Sequence, residues 1–98
     1  MSKPRFYIKE NSWQASIAAK KMKANAVAMV LGKTIHLYGC SKEQFLADES
    51  WLKHELCHIK QFKENGYVFF LIKYLWECAK VGYYNNKYEV EAREAEEL

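Results

Sequence analysis

Two histidines flank a glutamate at helical spacing in His54-Glu55-Leu56-Cys57-His58, and this pentapeptide constrains the chain more than any other segment. Residues four apart on an α-helix stand about 40° apart around the axis and about 6 Å along it. Two imidazoles so placed can hold one metal ion. Glu55 is offset around the helix and stands beside such an ion, where its carboxylate can take a proton from water. The bland alternative is a solvated helix carrying two surface histidines. Such a pentapeptide arises by chance in roughly a few of every thousand chains this long, so its surroundings decide. It needs a helix, a third ligand and a strand that can hold substrate.

The helix is well supported. Asp48 is a good N-cap, and Glu49 puts negative charge in the first turn. Trp51, Leu52, Leu56, Ile59 and Phe62 recur at three- and four-residue steps and give one apolar face. Lys60 and Lys63 occupy the last turns, and Asn65-Gly66 is a stop signal. His54 and His58 fall at the edge of the apolar face, so they are expected to look along a cleft.

The rest of the chain must supply the walls of that cleft. Its 98 residues make a single domain, 1–98, with a modest core. Half of them are hydrophobic, and with one proline and four glycines no linker divides the chain. Met1-Ser2-Lys3-Pro4-Arg5 lacks a following apolar run, so no secretory signal is expected. Tyr67 to Ile72, continued by Tyr74-Leu75-Trp76, is too short to span a membrane. It reads as a helix buried on most sides, packed behind the histidine helix, with an interfacial membrane role as the weaker reading. Three cysteines, Cys40, Cys57 and Cys78, form no disulfide framework and fit a reducing, cytoplasmic setting. Cys57 could be a ligand or a redox switch, but a small buried hydrophobe is the simpler reading.

The N-terminal half reads as mixed structure, which makes the fold class α+β with about three strands. Arg5 to Lys9 alternates weakly as a strand. Asn11 or Ser12 caps a helix to about Lys23, with Trp13, Ile17, Ala18 and Met22 inward. Ala26 to Leu31 and Thr34 to Tyr38 form a hairpin across Gly32-Lys33, and Ser41 caps a short helix to about Leu46. Thr34 to Tyr38 is the expected rim strand, whose edge could bind an extended peptide. His36 is expected to face solvent from it, though it could also help at the site.

Zinc needs a third protein ligand. The candidates are His36 and the acids of the helical pattern Tyr88 to Ala95. Without the histidine motif that segment would read as a solvated acidic helix. Charge is uneven: residues 1–88 hold 14 Lys/Arg against 7 Asp/Glu, while residues 89–98 hold one Arg and five Glu. The basic body raises nucleic-acid binding as a possibility. The lysines are scattered, however, and the one cluster, Lys20, Lys21 and Lys23, is explained by a solvated face.

His54-Glu55-Leu56-Cys57-His58, followed by Gln61 and then by Glu89-Val90-Glu91-Ala92-Arg93, resembles the gluzincin metallopeptidases, and most of all their single-domain members, the minigluzincins. The resemblance covers roughly Thr34 to Glu94. It implies a zincin-like upstream subdomain: a small sheet, an active-site helix, a backing helix and a C-terminal glutamate helix. It implies Zn²⁺ held by His54, His58 and Glu89, with Glu91 as the alternative third ligand, and Glu55 as general base. Arg93 departs from the pattern, because many members carry there an aspartate that orients a ligand histidine. Glu94 or a backbone carbonyl could take over that role. Tyr83, Tyr84 and Tyr88 are candidates to stabilise an oxyanion.

The expected function is therefore zinc-dependent hydrolysis of a peptide or protein substrate. Its first alternative is a latent or inactive zinc-binding module for a protein partner, its cleft blocked by the acidic tail Glu94-Ala95-Glu96-Glu97-Leu98. The second is a basic nucleic-acid-binding domain.

Overall fold

The computed structural model describes residues 6–98. Met1 to Arg5, with the readings made on them, lie outside that range. The element order is β1 (Tyr7–Lys9), α1 (Trp13–Met22), β2 (Val27–Leu31), β3 (Thr34–Tyr38), α2 (Lys42–Ala47), α3 (Glu49–Asn65), α4 (Tyr67–Asn85) and α5 (Lys87–Ala95). Among the described residues, five helices on a small mixed sheet make an α+β fold.

Local signals set most boundaries. The Ser12, Ser41 and Asp48 side chains cap α1, α2 and α3, and Ser41 with Gln44 completes a capping box. Gly66 ends α3 and starts α4 with φ +85°, a backbone conformation that L side chains resist. The two helices therefore turn on a single residue.

The sheet order is β1-β3-β2, which corrects the expected rim strand. β3 is the central strand, paired in parallel with β1 (Ile8 opposite Ile35) and antiparallel with β2 (Val30 opposite Ile35). The short first strand takes the outer side of β3, so among the described residues β2 keeps an open edge. His36 is correspondingly buried, not solvent-facing, and its Nδ1 lies 2.8 Å from the Ser12 hydroxyl.

Ile35, Leu37, Phe45, Ile59, Phe62 and Phe70 form the main core between sheet and helices. Phe62 packs edge-to-face on Phe70 at 4.6 Å, and Phe45 on Trp51 at 5.2 Å. α1 covers the other face of the sheet through Ala15 and Ala19 against Val27. Its expected inward residues Trp13, Ile17 and Met22 are exposed, and only Ala18 packs inward as read. The reason is the anchor at its start: Ser12 N–H donates to the Leu37 carbonyl and the Ser12 hydroxyl faces His36, which fixes the helix rotation with its small residues on the sheet.

α4 also departs from expectation. Phe70 is buried, but Val68, Phe69, Ile72, Leu75 and Trp76 are all more than half exposed. α4 rests on α3 and α5, and among the described residues no further layer lies outside it, so its outward apolar face is exposed. Among the described residues no helix is long and apolar enough to cross a membrane.

The buried Ser12–His36 pair makes two predictions. Ser12→Ala removes a cap and leaves an imidazole nitrogen unpaired, so urea denaturation should show a loss of about 1–3 kcal/mol. Burial, reinforced by the Lys9 charge, holds the His36 pKa below its ordinary 6.5. The unfolded chain therefore takes up the proton first as pH falls. The stability supplied by neutral His36 is fully present above 6.5 and declines below it. The wild type should lose stability relative to His36→Gln between about pH 7 and pH 5 in paired denaturation curves.

Candidate metal centre

α3 turns His54 and His58 toward α5. Glu89 reaches them from the first turn of α5, whose start is fixed by fully buried Asn86. The Asn86 side chain accepts from the Tyr88 N–H at 2.9 Å and donates to the Tyr74 carbonyl at 3.1 Å, tying α5 to α4. Glu89 Oε1 then lies 3.0 Å from His54 Nε2 and 3.1 Å from His58 Nε2. The Tyr74 hydroxyl donates to the other oxygen, Glu89 Oε2, at 2.5 Å.

Each imidazole is also held from its far side. His54 Nδ1 lies 2.6 Å from Glu96 Oε2, and His58 Nδ1 lies 2.8 Å from Gln61 Oε1. The Gln61 amide is fixed in turn: its Nε2 donates to the Tyr88 carbonyl at 3.1 Å and to Glu91 Oε1 at 2.6 Å. Both Nε2 atoms thus face Glu89 and both Nδ1 atoms face an acceptor.

The electrostatics follow from these contacts. Burial alone would lower the His54 pKa, but hydrogen bonds to Glu89 and Glu96 and the surrounding carboxylates raise it to about 9. Burial likewise opposes charge on His58, and Glu89 overcomes it, so its pKa is also raised. Burial would raise the Glu89 pKa, yet the two imidazoles and Tyr74 hold it well below the usual carboxylate range. Burial pushes Tyr74 up, as does the Glu89 charge. Buried Glu55 is pushed up to about 7 by desolvation, against the pull of His58 and His54.

The three donor atoms of His54, His58 and Glu89 lie within 4.8 Å of one another, close enough to hold one metal ion. Bonds of about 2.0–2.2 Å to nitrogen and oxygen place neighbouring donors of a tetrahedral ion roughly 3.3 Å apart. The observed 3.0 and 3.1 Å fit that spacing. Two imidazole nitrogens and a carboxylate suit Zn²⁺ and other divalent ions alike. A carboxylate that holds protons on two imidazoles can hold a cation in their stead.

The other expected site residues are dispersed. Glu91 is exposed and bonded to Gln61, away from the cluster. His36 lies buried within the sheet beside Ser12. Cys57 is half-buried beside Gln61 and Glu91, with its thiol pushed up to about 11 by burial and by Glu91. Arg93 turns to Tyr84, donating to its carbonyl at 2.6 Å and lying over its ring at 4.1 Å. Tyr88 packs on Phe70 in the core. Of the three tyrosines, Tyr83 lines the cleft. That cleft, about 680 Å³, runs between β2 on one side and His54, Glu55, His58 and Glu89 on the other.

Sequence reasoning assigned no role at the site to Tyr74 or Gln61, and read Glu96 only as part of a blocking tail. Gln61 had a signal, three residues after His58 on the same helix face. Tyr74 stood inside an apolar run and had none.

No family model, curated protein or solved structure matches the chain.

Metal binding is directly measurable. Titration with Zn²⁺ should show one ion per chain, lost in His54→Ala, His58→Ala and Glu89→Ala and kept in Glu91→Ala. At a free concentration of 100 times Kd the ion should stabilise the fold by about 2.7 kcal/mol in thermal unfolding.

Proposed function

We propose that this chain is a zinc-dependent peptidase of the H-E-x-x-H type, a single-domain relative of the gluzincins. The observation that carries the reading is the convergence of His54 Nε2, His58 Nε2 and Glu89 Oε1, on a cleft that Glu55 also lines. The donors come from two helices, in the order and residue types that the resemblance implies.

A bound zinc ion supplies Lewis-acid chemistry, activating a water and polarising a carbonyl. The protein's own groups do the rest. Glu55 is buried and opens on the same cleft, so its carboxylate takes the water's proton and delivers it to the departing amine. β2, not β3, holds the substrate: its edge is open and its residues line the cleft. An extended peptide along that edge is gripped through its main chain. Tyr83 borders the cleft and offers a hydroxyl to the oxygen on which negative charge develops.

Glu55→Gln should keep the fold and one zinc per chain while lowering kcat/KM on an unstructured protein substrate by about 10²–10⁴-fold. Full hydrolysis by that variant would exclude Glu55 as the base and this mechanism with it.

A further inference from the structure

We infer that Glu96 is the positioning residue for His54, and that residues 96–98 are a working part of the metal centre, not a plug in the cleft. This rests on the proposed metal site. A ligating imidazole commonly donates its second N–H to a carboxylate or carbonyl, which fixes the ring and the tautomer and strengthens the ligand. Arg93, four residues past Glu89, cannot act so: it is a donor and it is engaged with Tyr84. Glu96, seven residues past Glu89, returns to the same face of α5 two turns on. Its Oε2 lies 2.6 Å from His54 Nδ1.

The packing of α3 against α5 explains why this residue is the one. Contacts pair later residues of one segment with earlier residues of the other: Gln61 with Glu91, His54 with Glu96, Lys53 with Leu98. The two segments therefore run antiparallel, and the turn after α5 comes to rest beside His54. That turn is held by its own bonds, Glu96 N–H to the Arg93 carbonyl at 3.1 Å and Leu98 N–H to the Ala95 carbonyl at 3.2 Å. The Lys53 ammonium fastens it to α3 through the Leu98 carbonyl. Glu96 bonds the outer nitrogen of His54, while Nε2 stays on Glu89. The segment expected to obstruct the site therefore braces it. Gln61 does for His58 with a neutral oxygen what Glu96 does for His54 with a charged one.

The test is zinc affinity, measured by competition with a chromophoric chelator. It compares the wild type, Glu96→Ala, Glu96→Gln, Glu97→Gln and a chain ending at Ala95. Thermal unfolding of the metal-stripped proteins and the visible spectrum of their Co²⁺ forms are recorded alongside. Glu96→Ala and the shortened chain should bind zinc about 10–100-fold more weakly. Glu96→Gln should recover part of the loss, because its amide oxygen still accepts from Nδ1–H, and Glu97→Gln should match the wild type. The Co²⁺ band should move in Glu96→Ala, a change that a merely stabilising contact would not produce. If Glu96→Ala does not fold, Glu96→Gln carries the test through the same shift in affinity and band. Unchanged affinity in the Glu96 variants overturns the inference and leaves the zinc reading standing. A rise in peptidase activity on shortening, at unchanged affinity, overturns it in favour of a plug. Failure of the wild type to bind zinc removes the metal site and the inference together.

Discussion

Glu89 Oε1 is shared by two imidazoles, and the arrangement of α3, α4 and α5 depends on that contact. A carboxylate taken out of water is costly unless positive charge and hydrogen bonds replace the solvent. Here both oxygens are satisfied, one by the histidines and the other by Tyr74, so all three helices meet at one side chain. Among the described residues no buried side-chain nitrogen or oxygen lacks a partner. Removing any one member therefore leaves an uncompensated polar group and does more than delete a bond. The same geometry would couple a cation to the fold, since an ion held by His54, His58 and Glu89 would bridge α3 and α5 at this point.

The parts of this design that were legible in the sequence are the local ones. Asp48 and Gly66 delimit α3, Ser41 opens α2, and Gly32-Lys33 turns the hairpin, because caps and turns act over a few residues. The i,i+4 spacing of His54 and His58 needed no tertiary information either. What failed were statements about which side of an element faces inward. α1 presents alanines to the sheet and leaves Trp13 and Ile17 outside, since its rotation is set by Ser12 on the central strand. His36 and the rim strand were misjudged for a related reason. Strand order depends on the pairing of β1 with a strand 27 positions on, Tyr7 opposite Thr34, and no local pattern reports it.

α4 shows the limit of hydropathy. Its composition reads as a buried helix, yet none of the described elements covers its outer side, so the inner row of Phe70, Leu71 and Tyr74 does the packing. An apolar run reports how much surface a segment would gain by burial, not whether a partner exists to bury it. Tyr74 illustrates the cost of that ambiguity. It belongs to the apolar row by position and to the polar site by its hydroxyl, and only the approach of α5 reveals the second role.

That approach is fixed by register. α5 runs antiparallel to α3 overall, and several contacts fix its register together: the Tyr88 carbonyl and Glu91 at Gln61, Glu89 at both histidines, Glu96 at His54, Leu98 at Lys53. Sliding α5 by one helical turn, about 5.4 Å, would move Glu89 off the histidines and break every other pairing in the same step. Buried Asn86 at the α4–α5 corner prevents the slide by holding the start of α5 to the Tyr74 carbonyl. That Glu89, and not Glu91, meets the histidines is thus a consequence of where the preceding helix ends. The acidic segment, which taken alone reads as a solvated helix, owes its contact with the histidines to a corner residue that touches neither of them.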